Sequence, residues 1–269
     1  MTLWTSALVA APAALLALGA LPLAFQRHLL FPRSKNNAVL QSPHHRIEPV
    51  EIRVPGARLK AYLAVPLQPA GPPRGLLYFN GRREHPTSVF RCLHEMPGVH
   101  ALCFHYRGLG PAWRKPGEAQ LVADGLAVLD WMAQACGLRH GDIAIGGRSL
   151  GSGLAVQVSG ARPVRCLALV SPFDRAHSAV RQALPFVRGW MLKDRFESVA
   201  HMALVRCPVL LVLGERDRTV PPAASRRLLQ GWRGAWQEFA LPDMGHRGLL
   251  RHAPVQQRHH VRRCVDADA

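Results

Sequence analysis

Lysine is scarce in this chain. Lys35, Lys60, Lys115 and Lys193 are the only lysines among 34 basic residues, and only 17 acids oppose them, so the formal charge of +17 is an arginine charge. Such a charge rewards contact with phosphates through counterion release. However, no helix-turn-helix, zinc-finger or RNA-recognition pattern accompanies the arginines, which excludes a dedicated nucleic-acid reader. Apart from Arg251, Arg258, Arg262 and Arg263 with His252, His259 and His260, they are dispersed and read as solvated surface with some attraction to anionic lipid. Low-complexity tracts and internal repeats are also missing. With 48% apolar and 19% charged residues, disordered and fibrous classes are excluded as well.

The six cysteines form no CxxC pair, so Cys92, Cys103, Cys136, Cys166, Cys207 and Cys264 read as buried thiols rather than as a disulfide framework or a metal site. His44-His45 and His259-His260 lack partner ligands at suitable spacing, and no metal is expected.

What the chain does have begins with Leu3–Phe25, an apolar run without a charged residue. As a helix it would reach roughly 34 Å, enough for a hydrocarbon core of about 30 Å. No basic n-region precedes it and no clean small-x-small site ends it, so residues 1–26 read as a retained transmembrane anchor rather than a cleaved signal. Arg27, His28, Arg33 and Lys35 follow it, and the positive-inside rule places the body on the cytoplasmic face. Residues 27–47 read as a juxtamembrane connector, 48–255 as the folded domain and 256–269 as a basic tail.

Within the domain, Val50–Val54 and Leu59–Val65 alternate around Pro55-Gly56 as a hairpin. Buried strands are expected at 75–80, 100–106, 142–146, 164–170 and 209–214, with a weaker one at 237–241. Helical stretches at 119–136, 149–160 and 223–231 lie between several of them. This alternation implies βαβ crossovers, hence a doubly wound α/β domain with a mostly parallel sheet.

Directly after the 142–146 strand comes Gly147-Arg148-Ser149-Leu150-Gly151, a G-x-S-x-G turn leading into a helix. A sharp turn that lifts the Ser149 hydroxyl above the sheet leaves no room for side chains at 147 and 151. It also puts the Leu150 amide at a helix start, where it favours a developing oxyanion. A serine nucleophile needs a base oriented by a carboxylate. Asp217 follows the 209–214 strand, at the sheet end where open α/β folds build their sites. His246 follows the last strand, after a turn-forming Gly245. Asp174 and Glu215 are the alternative acids.

These blocks resemble the α/β-hydrolases, in particular membrane-anchored members related to the serine aminopeptidase-like family. The similarity covers about residues 45–250 and rests on FHYRGLG (104–110), GRSLGSG (147–153), SPF (171–173), CPVLLVLGERDRTVPP (207–222) and MGHRGLL (244–250). It implies the catalytic order Ser149, Asp217, His246, with no cofactor. It also implies a second oxyanion donor from the loop after the third strand, where this chain has Asn80-Gly81-Arg82 in place of the His-Gly of many relatives. A lid is expected over 174–206, with Leu184, Pro185, Phe186, Trp190 and Met191 on its apolar underside. The expected chemistry is acyl transfer to Ser149 and release by water, on a lipid-like ester or thioester or on a peptide. An acyltransferase with the same triad, or a non-catalytic membrane-tethered binding protein on this scaffold, are the alternatives.

Overall fold

Side chains that alternate at period two line opposite faces of a strand, and a sheet covered on both faces needs apolar residues at nearly every position. The computed structural model describes residues 40–68, 71–82, 84–108 and 116–251. Within them a single eight-stranded sheet forms, in the order β1-β2-β4-β3-β5-β6-β7-β8. β1 (His45–Val54) and β2 (Ala57–Pro66) are the antiparallel hairpin, turning at Gly56 with φ 73°. The hairpin is longer than its alternation suggested, and β1 starts inside the segment read as a connector.

β2 pairs antiparallel with β4 (Val99–Phe104), and every later pairing is parallel: β3 (Arg74–Phe79), β5 (Ile143–Arg148), β6 (Leu167–Val170), β7 (Val209–Gly214) and β8 (Trp236–Leu241). The chain steps from β3 outward to β4, then crosses back to β5 on the other side of β3. That reversal opens a crevice at the carboxyl ends of β3 and β5, the place where such sheets take ligands.

Phe79, Phe104, Ile145, Leu169 and Leu211 pack on one face against helices α1 (Glu118–Cys136) and α2 (Leu150–Ala161). Leu76, Ala101, Cys103, Ala144 and Val212 pack on the other with Leu249 and with Val89, Phe90 and Leu93 of a 3-10 segment, Pro86–Glu95. That segment has no counterpart among the elements expected from sequence, although Val89, Phe90, Leu93 and Met96 recur at helical spacing and are buried together. It starts where His85 caps the Thr87 amide and Pro86 presets the first turn.

The 174–206 insertion holds α3 (Ala176–Ala183), a 3-10 turn (Gly189–Met191) and α4 (Ser198–Met202). Its apolar side differs from expectation. Val187, Leu192 and Phe196 are buried, whereas Phe186 and Trp190 are 60% and 75% exposed. Pro185 is exposed, and Leu184 and Met191 are half-buried. The reason lies in anchoring: buried Asp194 accepts from the Glu118 amide at 2.9 Å, and Glu118 in return accepts from the Phe196 amide at 2.9 Å. These bonds turn 192–196 inward and leave 186 and 190 outside. Helix α5 (Pro222–Leu228) precedes β8 and ends three residues before the expected boundary at 231, as the chain tightens through Gln230 and Trp232 amide bonds.

Cys92, Cys103, Cys136 and Cys207 are free thiols. Cys166 departs from that reading, being in a disulfide. The Leu3–Phe25 run, most of the connector and the basic tail lie outside the described residues. Among the described residues no helix is long and apolar enough to cross a membrane.

Candidate active site

At the end of β5, Ser149 takes φ 50° and ψ −117° before α2 begins at Leu150. A positive φ is costly for a residue with a side chain and persists only where its surroundings enforce it. Here the enforcement is visible. A Cβ at Gly151 would overlap the Phe79 carbonyl, and one at Gly147 would come within 2.5 Å of the Ala155 Cβ. The turn is pinned further by the Ser149 amide donating to the Val170 carbonyl at 2.9 Å, and by the Ser152 hydroxyl donating to the Ser149 carbonyl at 2.6 Å. Leu150 sits in the first helical turn, whose amides have no acceptor within the helix.

The acid and the histidine meet. His246 Nδ1 lies 2.7 Å from Asp217 Oδ2, and the Ser171 hydroxyl donates to the same oxygen at 2.9 Å. Asp217 Oδ1 accepts from the Thr219 and Val220 amides at 2.8 and 2.9 Å. Burial alone would raise the Asp217 pKa, but the bonds from His246, Val220 and Ser171 outweigh it and hold the carboxyl below its usual range. The other acids are engaged elsewhere: Asp174 with Arg227 at 2.9 Å and Glu215 with Arg226. His246 reaches Asp217 because the turn after β8 folds onto the end of β7, where the Glu215 amide donates to the Leu241 carbonyl at 3.0 Å and the Arg216 amide to Met244 at 3.1 Å.

The Ser149 hydroxyl makes no hydrogen bond to the imidazole. The serine turn and the histidine turn are linked by Arg148, whose Nη2 donates to the His246 carbonyl at 2.7 Å.

The loop after β3 closes the crevice. Asn80 Nδ2 donates to the carbonyls of Gly81 and Glu84, both at 3.1 Å, and the Tyr106 hydroxyl donates to the Asn80 carbonyl at 2.8 Å. The Gly81 amide donates to Glu84 Oε2 at 2.8 Å. The side-chain amide of Asn80 and the backbone amide of Gly81, both expected to face an oxyanion, are therefore engaged inside the loop, and Arg82 is the third member of that turn.

Three residues here have no role that the sequence assigns them: Glu84, Arg148 and Ser171. Glu84 stands among charged neighbours and reads as surface, yet it is 4% exposed; Arg148 fills a position the motif leaves open, and it is 5% exposed. Ser171 was legible only as part of the SPF block. Among the described residues no cluster of three or more His, Cys, Asp or Glu side chains is placed to hold a metal ion.

No family model matches the chain. An uncharacterized protein of Mycobacterium tuberculosis is 32% identical over 167 residues, 62% of this chain and 59% of that protein. A lysophosphatidylserine lipase of Danio rerio is 29% identical over 178 residues, 57% of this chain and 46% of the lipase. The chain thus matches about half the length of these curated relatives. An esterase of Pyrococcus furiosus superposes with a TM-score of 0.70 at 15% identity, covering 87% of this chain and 95% of the esterase. Strand order, the strained elbow and the superposition agree: the chain has the α/β-hydrolase fold.

Proposed function

We propose that this chain is a serine hydrolase that cleaves an ester, thioester or amide by way of an acyl-enzyme on Ser149. The observation that carries the reading is the 2.7 Å bond between His246 Nδ1 and buried Asp217, on the same rim as the strained serine turn. With Nδ1 protonated and donating to the carboxylate, Nε2 is left as the base. It takes the Ser149 proton as Oγ attacks the acyl carbon, then returns it to the leaving group. Asp217 stabilises the imidazolium that forms between these steps. The tetrahedral oxyanion is held by the Leu150 amide and by the Asn80–Arg82 loop. Water, activated by the same histidine, then releases the acyl group.

For the substrate we propose a lipid-like acyl compound. The esterase and lysophosphatidylserine lipase among the similar proteins support this class. So does the insertion, whose exposed Phe186 and Trp190 stand among exposed Arg181, Arg188 and Arg195. The Leu3–Phe25 run would tether the domain to the membrane that holds such substrates.

A fluorophosphonate probe tests the reading. Covalent labelling of the wild type, abolished in Ser149→Ala, is the expected result, and folded wild type that resists the probe overturns it. p-Nitrophenyl esters of increasing chain length then test the substrate class, with longer acyl chains expected to raise kcat/KM. Competing alcohols test the acyltransferase alternative, in which the alcohol rather than water receives the acyl group.

A further inference from the structure

We infer that Arg148 and Glu84 form a buried positioning pair that locks the histidine turn and the oxyanion loop to the nucleophile turn. The inference rests on the serine-hydrolase reading above and assigns function to two residues outside the triad.

Arg148 is covalently next to Ser149, so any shift of its side chain is felt at the elbow. Its guanidinium occupies the space between the other two site-bearing turns. Nη2 donates to the His246 carbonyl at 2.7 Å, and Nη1 lies 3.7 Å from Glu84 Oε2. The gap is so tight that a Cβ at Gly81 would stand 2.8 Å from Nη1. Glu84 in turn binds the Gly81 amide through Oε2 and the Tyr78 hydroxyl through Oε1, at 2.8 and 2.9 Å, and also accepts from the Ser88 hydroxyl. Serine, histidine and oxyanion loop are thereby joined through one ion pair.

Burying both charges is a poor way to gain stability, because a well-packed apolar pair does as well or better. What the ionic pair adds is direction. His246 is held at two points, the ring by Asp217 and the carbonyl by Arg148, so both its imidazole and the backbone that carries it are tied. Glu84 fixes the plane of the Gly81 peptide, and with it the course of the loop toward Arg82. Misplacement of a reacting group by about 1 Å costs on the order of 100-fold in rate, so loosening this pair acts on kcat rather than on substrate affinity.

The test uses the full chain in detergent micelles and compares wild type, Arg148→Met, Arg148→Lys, Glu84→Gln and the Met/Gln double variant. Readouts are kcat and KM on p-nitrophenyl butyrate, the fluorophosphonate labelling rate, and the melting temperature. Arg148→Met is expected to lower kcat and labelling about 100-fold, with KM changed less than about 3-fold. Arg148→Lys restores little, since one ammonium cannot serve two acceptors on different turns. Glu84→Gln lowers kcat about 10-fold, and the double variant is no worse than Arg148→Met alone, because both act through one unit. Folded single variants that keep kcat within about 3-fold of wild type overturn the inference, as do effects that multiply in the double variant. If Arg148→Met fails to fold, near-isosteric Glu84→Gln decides by the same criterion. Wild type that resists the probe overturns the hydrolase reading and this inference with it. Wild type that labels beside equally reactive variants overturns this inference alone.

Discussion

One oxygen of Asp217 holds two residues at once: Oδ2 lies 2.7 Å from His246 Nδ1 and accepts the Ser171 hydroxyl at 2.9 Å. Ser171 follows β6 and has a positive φ of 46°, so a strained backbone turn aims that hydroxyl at the carboxylate. The carboxylate is therefore oriented from three directions before it orients the histidine. Asp217→Asn should lower kcat by about 10,000-fold through the wrong imidazole tautomer. Ser171→Ala should cost only about 10-fold, as one of several hydrogen bonds to the acid. Glu215→Gln should leave turnover near wild type, because Glu215 faces Arg226 instead. Steady-state kinetics on a p-nitrophenyl ester checks all three.

Gly151→Ala should be far more damaging than an added methyl usually is. The new Cβ would meet backbone, the Phe79 carbonyl, rather than a side chain able to move. A cost of about 3 kcal/mol or more is expected, the upper range for overpacking. Urea unfolding followed by circular dichroism measures it, and a loss below about 1 kcal/mol contradicts the tight elbow.

Asp124→Ala should destabilise without touching the site. Arg107 Nε donates to Asp124 Oδ2 at 2.6 Å, and its Nη2 reaches the Pro55 carbonyl at 3.0 Å, tying α1 to the hairpin turn. Asp124 is 2% exposed, so its removal strands a guanidinium that is largely out of water. Breaking such a pair from one side costs about 3–5 kcal/mol, read as a lower urea midpoint, while the fluorophosphonate labelling rate of the folded fraction should hold.

Acid should weaken the fold well before the carboxylates protonate. Burial, His85 and Lys60 lower His105 to a pKa of about 4, and burial is the main cause of lowered values at His45, His85 and His100. In the unfolded chain each titrates near 6.5. Between the folded and unfolded values the unfolded state binds more protons, so stability is full above about pH 6.5 and declines toward about pH 4. Asp217, with its depressed pKa, adds a further loss below about pH 3.8. Thermal melts from pH 8 to 4 at constant ionic strength should show this slope, and His105→Gln should flatten it.

Much of this was legible in the chain itself. The run at 209–214 is β7 to the residue, and G-x-S-x-G after a buried run located the elbow, because period-two burial and glycine sterics are local properties. The choice of Asp217 over Asp174 and Glu215 was open from spacing alone and turns on what each carboxylate meets, His246 for Asp217 and an arginine for each of the other two. Glu84 and Arg148 look like any surface charges until the fold brings β3, β5 and the turn after β8 to one rim. Phe186 and Trp190 look like core until Asp194 and Glu118 set the course of the insertion. Pairings between distant segments leave no mark in periodicity.

The strand that presents the histidine is also the last one in the sheet. Among the described residues β8 pairs only with β7, and none of its six residues is fully buried. Peripheral strands of this kind open by local fluctuation while interior strands stay paired. Each opening would carry the imidazole off the rim and leave the serine turn intact, so warming should silence turnover several degrees before the interior melts, and cooling should restore it without refolding.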